Sequence, residues 1–174
     1  MKNIVRIFPL ALALAFLASC GDLYGTIGGD DINLPGALPQ SLAGQWVFPA
    51  TGAPAERYII DSEAGTFQYI DYSGTGFGFS GHIRFVSNFS SSSGIIIIEY
   101  IEPPLDWGGT NPFFGIYYRN ITGNTVQLAN SFDLVNRITP DTATLDEATR
   151  RFTRGRMGRY VDWGVVQPQW RAPQ

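Results

Sequence analysis

Charge is scarce in this chain, and so are the side chains that most often do chemistry. Asp, Glu, Lys and Arg together make up 16% of its 174 residues, against about 25% in ordinary soluble domains. There is one histidine, His82, and one cysteine, Cys20. A Ser-His-Asp triad would have to use His82, yet no nucleophile elbow accompanies it: Ser80 has Gly78 two positions before it but His82 two after. A single histidine among scattered carboxylates has no metal-ligand spacing. No apolar run reaches the about 20 residues that a membrane-spanning helix needs. The net charge of −3 excludes a broadly basic surface for nucleic acid. The expectation from these shortages is a protein that is not an enzyme and carries no cofactor, with His82 an ordinary surface residue.

What is abundant points to a β protein. Glycine occurs 20 times, aromatics make up 14% and hydrophobics 44%. So many aromatic and β-branched side chains can bury a core, which excludes disorder for the bulk of the chain. The length suits one domain.

The N-terminus has the order of an export signal. Lys2 and Arg6 are followed by an apolar stretch from Ile7 to Leu17, interrupted by Pro9. This length fits the core of a secretory signal rather than a transmembrane helix. It ends in Leu17-Ala18-Ser19-Cys20, which resembles the bacterial lipobox at every position. The resemblance implies cleavage after Ser19, a diacylglyceryl thioether on Cys20 and an acylated new N-terminus. With Cys20 lipidated, the mature chain has no thiol left for a disulfide or for catalysis. An anchor of several acyl chains holds stably to a bilayer. Gly21 stands where an aspartate would, in similar lipoproteins, signal retention in the inner membrane. The outer membrane is therefore the expected site rather than the inner. Residues 20–41, rich in glycine and proline, read as a flexible tether.

From about residue 42 the apolar period is two. Strands are expected at residues 44–48, 56–61, 66–72, 76–86, 95–101, 112–120, 124–131 and 159–166, with Thr122-Gly123 marking a hairpin turn. In the fourth, Phe77, Phe79, Ile83 and Phe85 share one face, and Gly78, Ser80, His82 and Arg84 the other. Four consecutive isoleucines, Ile95 to Ile98, imply a strand buried on both faces. One helix interrupts the pattern. Thr144 and Glu147 have capping-box spacing, Leu145, Ala148 and Phe152 fall on one helical face, and Gly155 stops it. The helix is expected on the outside of a closed sheet, over the isoleucines.

Other features have plain readings. Gly76-Phe77-Gly78-Phe79-Ser80-Gly81 matches G-x-G-x-x-G but runs into a strand instead of a helix, so close strand packing explains its glycines better than a dinucleotide. Glu99, Glu102 and Asp106 surround a Pro-Pro loop. Arg150, Arg151, Arg154, Arg156, Arg159 and Arg171 concentrate positive charge late in the chain, where pairing with Asp146, Glu147 and Asp162 is expected. Tyr160, Trp163 and Trp170 are expected to seal an end of the barrel.

Gly44-Gln45-Trp46 near the first strand, eight antiparallel strands and a late helix on the wall resemble the lipocalin and calycin barrels. The resemblance implies a mainly β fold, an eight-stranded antiparallel lipocalin-like barrel over residues 42–167, after a signal peptide at 1–19 and a tether at 20–41, with a C-terminal tail at 168–174. It implies a cavity lined by the inward row of the fourth strand, with Trp46 closing the far end. Candidate ligand contacts are Trp46, Phe77, Phe79, Ile83 and Trp107. The expected function is that of a membrane-anchored lipoprotein binding a small apolar or amphipathic ligand. The alternative is a filled barrel with a structural or protein-binding role in the cell envelope, its partner an envelope or host protein. In both, the bilayer is a partner through Cys20.

Overall fold

Residues 36–72, 78–101 and 111–173 are described by a computed structural model. Cys20, Phe77, Glu102, Asp106 and Trp107, together with the signal and most of the tether, lie outside the described residues. The strands are β1 (Gly44–Phe48), β2 (Glu56–Asp61), β3 (Thr66–Asp71), β4 (Gly78–Ser90), β5 (Ser93–Tyr100), β6 (Phe113–Arg119), β7 (Thr125–Asn130) and β8 (Gln169–Arg171). The helices α1 (Leu145–Arg151) and α2 (Met157–Tyr160) lie between β7 and β8. Each strand pairs antiparallel with its sequence neighbour, and β8 returns to β1, so the sheet closes into an eight-stranded barrel.

The isoleucines of β5 explain why the wall has apolar packing on both sides. Ile96 and Ile98 face the barrel interior with Ile116, Tyr118, Val126 and Leu128. Ile95 and Ile97 face outward, beneath Ala148, Phe152 and Tyr160. All four isoleucines are fully buried, as their unbroken run requires. Gly115 on β6 makes room for the helix: a Cβ there would lie 2.7 Å from the Phe152 ring. The expected helix over the outer wall is therefore present, and it precedes the last strand.

α1 begins as its sequence dictates. Thr144 is extended, and its hydroxyl accepts the Glu147 amide at 3.2 Å. The return half of the capping box is replaced, because the Glu147 carboxylate is held by Arg151 at 2.9 Å. Thr144→Ala should lower stability by about 1 kcal/mol through loss of the N-cap acceptor; an unchanged denaturation midpoint would count against that role.

Two strand expectations need correction. The stretch 159–166 is not a strand: it contains the end of α2 and turns, and the eighth strand is Gln169-Trp170-Arg171, within the segment read as a tail. Period-two patterning could not find a strand of three residues. The second concerns β4, where Phe85 does not share a face with Phe79 and Ile83. A bulge between Ile83 and Phe85 takes one extra residue, Arg84, against β5, so the side chains from Phe85 change face up to a second register shift between Asn88 and Ser90. Ile83 packs on the interior cluster, whereas Phe85 packs outside with the helix cluster. Arg84 pairs across the bulge with Glu99 at 2.6 Å.

The late arginines divide into different jobs. Arg150 and Arg151 pair with Asp146 and Glu147 one turn away, at 2.8 and 2.9 Å. Asp162 instead accepts the Gly164 amide. Arg159 reaches Asp133 at 2.8 Å, and this hydrogen bond, with the Val135 and Asn136 amides, lowers the Asp133 carboxyl to about 2. Tyr160 and Trp163 do not seal the barrel: both pack on its outer wall, with the Arg119 guanidinium 4.3 Å from the Trp163 ring.

Candidate ligand-binding mouth

One end of the barrel is closed from within. A 3₁₀ turn, Gln40–Leu42, crosses it, and Leu42 and Trp46 are completely buried there. The Trp46 indole N–H donates to the Leu42 carbonyl at 2.8 Å. Arg171 lies over the indole, its guanidinium 4.3 Å from the ring centre. It also donates to the carbonyls of Ser41, Ala43 and Gly123 at 2.7, 2.9 and 3.2 Å. The glycine of Gly44-Gln45-Trp46 is needed twice over. Its φ is +122°, and a Cβ would come within 2.7 Å of the Arg171 guanidinium.

Above Trp46 the interior is filled by rings. Phe79 stacks on Phe67 at 6.0 Å, tilts against Tyr69 at 5.4 Å, and meets Tyr100 and Phe114 edge-on at 5.5 and 5.6 Å. Tyr58 extends the cluster through Tyr69, 4.9 Å away. These spacings are those of favourable aromatic pairs. Phe79 therefore faces inward, as expected, but as part of a packed core.

The other end holds a cavity of about 400 Å³. Its apolar wall includes Phe48, Ala55, Leu128, Val165 and Val166, and its floor includes Tyr58 and Tyr69. Polar side chains converge on the same space: Glu56, Asp71, Asn130 and Gln169. Strand alternation accounts for this. Glu56 is two residues before Tyr58, Asp71 two after Tyr69, and Asn130 two after Leu128, each on the inward row of its strand.

Glu56 and Asp71 are direct cross-strand partners in the β2–β3 register. Gln169, 1% exposed, is oriented by the backbone: its carbonyl oxygen accepts the Leu128 amide at 2.8 Å. Its NH₂ group then donates to Glu56 at 2.6 Å. Burial raises the Glu56 carboxyl above the usual range; the bond from Gln169 works against this, and the Asp71 charge adds to it. The Tyr58 and Tyr69 hydroxyls are likewise pushed up, by burial first and then by the same carboxylates.

Trp46, Phe79 and Ile83 thus occupy the closed end and the core, and none of them lines the cavity. His82 is exposed, and among the described residues no metal-ligating cluster forms. Gly78 and Gly81 serve close strand approach: a Cβ on either would come within 2.8 Å of the Tyr69 or Glu99 carbonyl. The four polar residues of the mouth were missed by sequence reasoning. The signal for Glu56 was present, since it continues the inward row of Tyr58 and Ile60. Gln169 gave none, because its strand went unrecognised.

No protein-family model, curated protein or solved structure matches the chain. Fold and site define a closed eight-stranded antiparallel β-barrel with an aromatic-filled interior and a polar-edged cavity at one mouth.

Proposed function

We propose that this chain is a lipid-anchored lipoprotein of the bacterial envelope whose lipocalin-like barrel binds a small amphipathic ligand at its mouth. The anchor would be Cys20, at the end of Leu17-Ala18-Ser19-Cys20, and the membrane the outer one. The up-and-down strand order and the Gly-x-Trp tryptophan at the closed end support the lipocalin-like reading. One observation carries the binding role: the cavity of about 400 Å³, within the range of small-molecule sites, about 300–1,000 Å³. Its apolar walls and converging polar groups suit a ligand with both characters. The role is binding rather than catalysis, with no cofactor and no nucleic acid.

A second reading draws on the filled interior. A barrel packed with rings below its mouth is also what a structural or protein-binding envelope component would have.

The test has two arms. Cys20→Ala should abolish membrane fractionation and incorporation of labelled fatty acid; persistence of both would remove the anchor. For the mouth, a neutral environment-sensitive fluorescent probe should bind the full-length lipoprotein in phosphatidylcholine nanodiscs and be excluded by Ala55→Trp, which fills the cavity. No probe binding to the wild type beyond empty nanodiscs would favour the filled-barrel reading.

A further inference from the structure

We infer that the turn at residues 132–138 is a membrane-docking surface, which lays its apolar tip into the interface of an anionic phospholipid bilayer with arginines around it. The inference rests on the anchor at Cys20, which brings a bilayer within reach, and adds a second contact with that bilayer.

The turn is built to hold apolar side chains outward. The Phe132 and Leu134 amides donate to the Tyr160 and Arg159 carbonyls at 2.9 and 3.0 Å, which fastens the turn to the end of α2. Asp133 and Ile138 bridge its two ends, and the Arg137 amide closes it on the Asp133 carbonyl at 2.7 Å. The Asp133 carboxylate points inward, where it accepts the Val135 and Asn136 amides and Arg159. What remains outside is apolar: Val135 is 73% exposed, Ile138 56%, and Phe132 and Leu134 40% each. Among the described residues these are four of the seven large apolar side chains that are exposed. Single exposed apolar residues are ordinary, but a group on one fixed turn marks a contact surface.

Charge selects the occupant. Residues 132–138 and 153–160 carry Arg137, Arg154, Arg156 and Arg159 against one acid, Asp133, while the rest of the chain is net negative. An anionic surface therefore attracts this face and repels the others. Arg137 and Arg156 are exposed, and among the described residues neither has an acidic partner within ion-pair distance. Arg137 stands directly before Ile138 at φ 58°, a left-handed position that glycine or asparagine fills more easily. A protein partner, or a second copy, needs about 800 Å² on each side, more than the exposed parts of four side chains supply. A bilayer interface needs less: a few apolar groups at the headgroup boundary, with cations meeting the phosphates.

The test uses the acylated full-length lipoprotein, whose mature chain has no thiol besides Cys20. A thiol-reactive fluorescent dye is placed at the tip of the turn through Val135→Cys, or on the exposed turn between β2 and β3 through Ser62→Cys. In phosphatidylglycerol-rich nanodiscs, spin-labelled phospholipid should quench the dye at position 135 at least about fivefold more than at position 62. Pure phosphatidylcholine or high salt should cut that quenching at least about threefold. Arg137→Asn combined with Arg156→Gln should do the same without lowering the melting temperature. Equal quenching at the two positions would overturn the docking and leave the anchor in place. A dye at position 135 that is shielded from water in detergent as well as in nanodiscs, yet not quenched by spin-labelled lipid, would mean that protein covers the turn, which also overturns it. If Cys20 itself takes up the dye and the chain does not load into nanodiscs, the anchor fails and the docking falls with it.

Discussion

Phe79→Ala should destabilise the barrel by roughly 3–5 kcal/mol, the range for a phenylalanine lost from a packed core. Phe79 is 5% exposed, and its ring is in contact distance of four others from β3, β5 and β6. Removing it leaves a void walled by stiff rings that cannot collapse into it. The loss should appear in denaturant unfolding as a lower midpoint at nearly constant slope. Phe79→Leu should recover much of it by refilling volume. A loss below about 1.5 kcal/mol would mean that the rings do not pack as described and that the interior has room for a ligand.

Arg171→Ala should lower stability by about 3 kcal/mol, the second largest effect expected. The side chain makes one stacked contact with Trp46 and hydrogen bonds to three backbone carbonyls. Cation–aromatic contacts are worth about 0.5–2 kcal/mol, and net hydrogen bonds about 0.5–1.5 kcal/mol each. Arg171→Lys should restore little, because an ammonium cannot lie flat on the indole and reach three separate carbonyls. Equal stability of the lysine variant and the wild type would show that charge alone matters there.

The architecture was legible because its signals are repeated. Seven of the strands run for five residues or more, and Ile95 to Ile98 announce a wall packed on both sides. Thr144, Ala148 and Phe152 announce the helix that covers it. What could not be read were single-residue events. The Arg84 bulge moves Phe85 to the outer face, and no pattern of hydrophobicity encodes one extra residue. The three-residue β8 is too short to show a period, so Gln169 and Arg171 were read as a tail and as part of a charged cluster. One proves to orient Glu56, and the other to close the barrel. The cavity also differs in chemistry from the aromatic lining expected. Aromatic rows drew attention to Phe79, whereas the cavity lies one step further out, where polar residues continue the inward rows of β2, β3 and β7.

The strictly sequential strand order has a kinetic consequence. Six of the eight pairings join chain neighbours through short connections, whereas β7 and β8 are separated by both helices and the closing contacts of β8, the seam of the barrel, reach as far as Arg171 to Ala43, 128 positions. Bringing distant segments together is the slow, entropically costly part of folding a β protein. The seam rests on two paired positions to β1 and two to β7, so it should close last and open first. In native-state hydrogen exchange, the amides of β8 should give way well before those of β5 and β6. Gln169 sits in that seam with its side chain on Glu56. Each opening of the barrel is thus also an opening of its mouth.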